Sequence, residues 1–166
     1  MRFPALRSTC ILSMLSLIHC IPVHQHDRKN VKLQAKTIIV RIREHIDGQN
    51  LLPTLIIGDP GHYPEIPADK PIQGLGSIME TINTFHKVLQ KLPNKHVDQI
   101  RRDLSTLLGY LEGMDCTLKE STNGKALDAF LEDSASYPFT LEYMTLNRLK
   151  QFMQKLIDNL DQLKIC

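Results

Sequence analysis

Residues 77–113 read SIMETINTFHKVLQKLPNKHVDQIRRDLSTLLGYLEG, and this stretch decides the fold. Ile78, Ile82, Phe85, Leu89 and Leu92 recur at spacings of three and four, the period that lines one face of a helix. Pro93 ends that pattern, because a proline cannot continue a helix without losing a backbone hydrogen bond. A second stripe starts almost at once with Val97, Ile100, Leu104, Leu107, Leu108 and Leu111, and Gly113 follows it. Ser77 and Glu80 form a capping-box pattern at the first start, and Asn94 is an N-cap candidate at the second. Gly109 costs roughly 1 kcal/mol against alanine inside a helix, so a bend or fray is expected there. Two helices joined by so short a break must lie antiparallel. This is a helical hairpin.

Working outward, two more stripes flank the hairpin. Upstream, Val31, Ala35, Ile38, Ile39, Ile42 and Ile46 share a face over residues 31–46, with Gly48 as a stop signal. Downstream, Leu146, Leu149, Met153, Leu156, Leu160 and Leu163 form a three-four seam over 140–163, widened by Phe152 and Ile157. None of the four stretches shows the β-branched alternation of a strand. The connection over 47–76 is long and rich in proline and glycine, and so long a connection recurs over 114–139. A helix of about 16 residues is about 24 Å long, a length that about eight extended residues span. Both long connections therefore have the reach to return to the end from which the previous helix started. Long–short–long connectivity predicts an all-α, up-up-down-down four-helix bundle with two long crossover loops. Residues 125–131 read as a short amphipathic helix capping one end.

The N-terminus has the layout of a secretory signal: Arg2 and Arg7, an apolar run over 11–18, then a cleavage region near Cys20. The expected division is a signal peptide over 1–20 and a bundle domain over 21–166. The run is too short to span a membrane, which takes about 20 residues, and no insertion is expected. Cleavage would remove Cys10 and Cys20 and leave Cys116 and the terminal Cys166, an even pair in an oxidising compartment. A disulfide between them closes a loop of about 50 residues and contributes roughly 4 kcal/mol on the chain-entropy view. Losing Arg2 and Arg7 also brings the basic residues level with the 18 acidic ones. A chain without basic excess is a poor match for nucleic acid. No Asn-x-Ser/Thr sequence is present, so N-glycosylation is not expected.

The candidate chemistry is sparse. His24 and His26 have no further ligand at useful spacing and read as a solvated arm. His45, His62, His86 and His96 are scattered, and no serine or cysteine sits in a nucleophile motif. Gly74-Leu75-Gly76 lacks the strand and lysine of a phosphate loop. Neither catalysis nor a metal or cofactor is expected. A bundle of this kind works by presenting its surface.

Particular residues make that surface specific. Lys36-Thr37-Ile38-Ile39-Val40-Arg41-Ile42, Leu92-Pro93-Asn94-Lys95, Leu146-Asn147-Arg148-Leu149 and Pro60-Gly61-His62-Tyr63-Pro64 resemble stretches of the leptin family. Cys116 with a C-terminal Cys166 is similar to that family's single disulfide. The resemblance implies a secreted hormone, a monomer when free, whose partner is the leptin receptor, a class I cytokine receptor. It implies signalling through Janus kinases and STAT proteins to regulate energy balance and food intake. One receptor face is carried over to Lys36, Thr37, Arg41, Gln99 and Thr106, with Lys36 and Arg41 expected to point outward. A second is carried over to Ile56, Ile57, Gly58, Asp59, Thr140 and Leu141. Another growth-hormone-type cytokine is the nearest alternative, and a helical lipid carrier is a more distant one.

Overall fold

A computed structural model describes residues 23–48, 72, 74–92, 97–114, 127–128, 131–132 and 138–162. Four helices carry the fold: α1 (Val23–Gly48), α2 (Leu75–Lys91), α3 (Asp98–Glu112) and α4 (Pro138–Asn159). A single 3₁₀ turn, Leu160–Gln162, extends α4. Pro138 is the first residue of α4, where its fixed φ suits the helix and its missing N–H costs nothing. There are no strands among the described residues.

Each helix packs against two others. α1 lies against α3 and α4, and α2 lies against the same two. Consecutive α1 and α2 are therefore diagonal partners, as are α3 and α4. Arg28 and Lys32 near the start of α1 reach Asp161 after the end of α4, while His45 in the last turn of α1 meets Glu142 at the start of α4. Those contacts fix α1 and α4 as antiparallel. The short break between α2 and α3 does the same for that pair. The arrangement is the up-up-down-down four-helix bundle, with its two long connections between the diagonal partners.

The core consists of the predicted stripes. Val31, Ala35, Ile38, Ile39 and Ile42 of α1 meet Leu146, Leu149, Met153 and Leu156 of α4, with Ile100, Leu104 and Leu107 from α3. Phe85 and Phe152 bring α2 and α4 together, their ring centroids 6.0 Å apart and tilted by 46°. In the segment expected to form a short helix, Leu127 and Leu131 are helical and buried in the same core, four residues apart. Asp128 and Glu132 are exposed, so the alternation is that of an amphipathic turn.

Three local expectations need correction. α1 begins at Val23, not near residue 31, so His26 is an exposed helical residue and not part of an arm. Its first turns are polar and show no apolar period, but Arg28 and Lys32 tie them to Asp161. α2 begins at Leu75 with Gly74 before it, and no side chain caps it. Ser77 Oγ donates to the Gly74 carbonyl at 2.9 Å, which takes it out of the capping role. α3 passes through Gly109 as continuous helix to Glu112, where the Gly113 N–H closes the end by donating to the Gly109 carbonyl. The N-cap candidate Asn94 lies outside the described residues.

Candidate functional site

The surface between α1 and α3 is organised around one buried carboxylate. Asp103 follows Ile100 by three residues and precedes Leu107 by four, a register that turns it into the bundle. Its side chain is only 9% exposed. Arg41 Nε lies 2.6 Å from Oδ2, with its N–H not aimed squarely enough at that oxygen for a good hydrogen bond. The contact is chiefly one of charge. Gln99 Nε2 donates to Oδ1 at 3.0 Å, and Gln34 Nε2 donates to the Asp103 backbone carbonyl at 3.2 Å. Arg102 in turn holds Gln99 Oε1 with two donors, at 3.2 and 2.7 Å.

Four of the five residues expected on the first face stand on or beside this network. Arg41 and Gln99 meet on Asp103 from different helices. Lys36 and Thr37 lie one turn earlier on α1, and together with Val40, Arg41 and Glu44 they line a shallow open groove. Thr37 Oγ1 donates to the Leu33 carbonyl at 3.0 Å. Thr106 is exposed on α3, about one turn beyond Asp103, and its Oγ1 donates to the Arg102 carbonyl at 3.1 Å. Lys36 points outward as expected. Arg41 does not simply point outward: its side chain is 41% exposed, and its Nε is buried against Asp103. Leu33 and Val40, which the sequence reading passed over, are 66% and 50% exposed on the outer side of α1. Seven residues apart, they form an apolar strip beside the charges.

The second expected face is only partly visible. Ile56, Ile57, Gly58 and Asp59 lie outside the described residues, as do Cys116 and Cys166. Thr140 is half-buried at the start of α4. Leu141 is buried in the core and offers no surface. The outward residue of that turn is Phe139, 70% exposed.

Beside this turn lies a second polar bridge that sequence reading missed. His45 Nε2 is 2.6 Å from Glu142 Oε1, and the two side chains are only 9% and 4% exposed. A signal for it did exist. His45 stands seven residues after Ile38 and three after Ile42, and Glu142 stands four before Leu146, so both occupy stripe positions. On the α2/α3 side, His86 Nε2 meets Ser105 Oγ at 3.1 Å. Partial burial, and then the nearby Arg101 guanidinium, push the His86 imidazole below its ordinary value. Ser105 also donates to the Arg101 carbonyl. Among the described residues no group of three His, Cys, Asp or Glu side chains could hold a metal ion.

The profile of the family described as Leptin matches residues 23–166 of this chain. Leptin of Rattus norvegicus is 28% identical over 166 residues, covering 95% of this chain and 95% of its own length. Leptin of Gallus gallus is 28% identical over 165 residues, covering 93% and 95%. Leptin of the fish Tetraodon nigroviridis is 26% identical over 166 residues, again covering 93% and 95%.

Proposed function

This chain belongs to the leptin family, a family of hormones and not of enzymes, and on that premise we propose that it binds and activates the leptin receptor. The mature hormone comprises residues 21–166, secreted after removal of residues 1–20 and monomeric when free. The family match supports this division, because it begins at residue 23. Cys116 and Cys166 are joined, tying the C-terminus to the connection between α3 and α4. Binding carries the receptor-associated Janus kinases into signalling through STAT proteins, with energy balance and food intake as the output.

The observation that carries the reading is the α1/α3 surface. There Leu33 and Val40 expose apolar area on the same side of α1 as Lys36 and Arg41, where Asp103 ties α1 to α3. A preorganised patch that mixes an apolar strip with arginine is the kind that concentrates binding energy. Lys36, Thr37, Arg41, Gln99 and Thr106 form the first receptor face. The second face draws on Ile56, Ile57, Gly58 and Asp59 of the first long connection and on Thr140. Phe139 takes the place expected for Leu141, because Leu141 belongs to the core.

The test uses the recombinant mature chain on cells that express a leptin receptor, with STAT phosphorylation as the readout. Dose-dependent phosphorylation is expected, absent from cells without the receptor. A folded, disulfide-linked chain that neither binds the receptor nor raises STAT phosphorylation would defeat the reading.

A further inference from the structure

His45 belongs to the last turn of α1 and Glu142 to the start of α4, two segments nearly a hundred residues apart in the chain. Both side chains are turned into the bundle, where the imidazole Nε2 meets the carboxylate Oε1 at 2.6 Å. A polar group at such a stripe position costs stability unless it is bonded. A leucine pair would fill the same space without that demand. Unlike apolar packing, a short bond between two buried groups fixes direction as well as distance. It therefore sets the angle and height at which the first turn of α4 stands against α1. That turn carries Leu141, which anchors it in the core, and Phe139, which it holds out to solvent.

We propose that His45 and Glu142 are positioning residues for receptor activation: their bond holds the first turn of α4 so that Phe139 and Thr140 are presented in the geometry the second receptor contact needs. The inference rests on the receptor reading given above. The pair touches no receptor group itself. Its effect should fall on signalling more than on binding through the α1/α3 surface, which has its own bridge at Asp103.

The experiment compares His45→Ala, His45→Gln and Glu142→Gln in the full mature chain. Glutamine keeps an N–H donor at position 45 and an acceptor at position 142, so both glutamine variants should behave close to the parent. For His45→Ala, amide hydrogen exchange over 138–145 should rise about tenfold while exchange over 98–112 stays level. The concentration for half-maximal STAT phosphorylation should rise about tenfold, with receptor affinity within about twofold of the parent. Unchanged exchange and signalling in His45→Ala would overturn the proposal. So would a parallel loss of affinity and signalling with exchange raised in every helix, which marks a general loss of stability. If His45→Ala does not fold, the glutamine variants decide, and loss of signalling in either while folded contradicts the bond's role. A parent chain that fails to signal defeats the receptor reading instead. The exchange measurement then tests the pair alone, and an unaltered first turn of α4 in His45→Ala sinks it.

Discussion

Two of the polar bridges that α1 makes to its neighbours, at Asp103 and at Glu142, differ in what water can reach. At Asp103 only the acid is buried; its arginine stays 41% exposed and lies in an open groove. At Glu142 both partners are buried, and neither has surface to offer. An exposed cation can hold a carboxylate in place and still meet a binding partner. A fully buried bond can only hold. The first bridge thus belongs to a surface that binds, the second to a scaffold that aims one. The energetic consequence follows, since screening by water weakens the first far more than the second.

The largest expected effect separates the two at once. Glu142→Ala leaves the His45 ring facing a void in the bundle and should cost about 3 kcal/mol in urea unfolding. Arg41→Ala removes the cation beside the Asp103 carboxylate and leaves the Gln99 bond to Oδ1 in place, and it should cost about 1 kcal/mol because the arginine is screened. Arg41→Ala is thus not a clean surface change, and its loss of receptor affinity has to be measured on protein shown to be folded. A double-mutant cycle sharpens the contrast: the coupling of His45 with Glu142 should exceed that of Arg41 with Asp103. Equal couplings would break the comparison.

Lys36→Ala and Thr106→Ala should each shift stability by no more than about 0.5 kcal/mol, since both residues are exposed and outside either bridge. Any loss of receptor affinity in these variants then reports contact alone. The smallest effect lies at His86, away from both bridges. Its imidazole should titrate below the ordinary value of about 6.5 in an NMR titration, because burial and then Arg101 oppose its protonation. With the folded value lowered, the native state binds less proton than the unfolded chain. Its contribution to stability is therefore intact above about 6.5 and is lost as the pH falls through the folded value. His86→Gln should flatten that dependence slightly.

What could be read from sequence was whatever leaves a period. The four apolar stripes, the short break between α2 and α3 and the two long connections were enough to order four helices, because burial of apolar side chains dominates the fold and repeats at fixed spacing. The first turns of α1 escaped, since residues 26–30 are all polar and hold to the bundle through Arg28. The start of α2 was misread for a different reason: Ser77 bonds backward to Gly74, which a spacing argument cannot tell from a cap. Asp103 and Glu142 drew no reading from the sequence, and His45 was noted only as one of several scattered histidines. Each nevertheless stands where an apolar residue would continue the stripe, and a polar side chain in that position is itself the signal. Leu141 could have been caught in the same way, for it precedes Thr145 and Leu149 by four and eight residues and all three are buried. Position along the family's pattern placed it at the surface, and register along the helix places it inside.

The division of labour between the two faces can be tested directly by measuring receptor affinity and STAT phosphorylation side by side for two folded variants. The first changes Lys36 and Thr37 on the α1/α3 surface; the second changes Phe139→Ser and Thr140→Ala at the start of α4. The account predicts that the first variant loses affinity and signalling together. The second should bind within a few-fold of the parent, fail to drive phosphorylation, and compete with the parent as an antagonist. If the second variant loses affinity in step with the first, or binds and still signals in full, the Asp103 and Glu142 bridges do not mark two separate tasks.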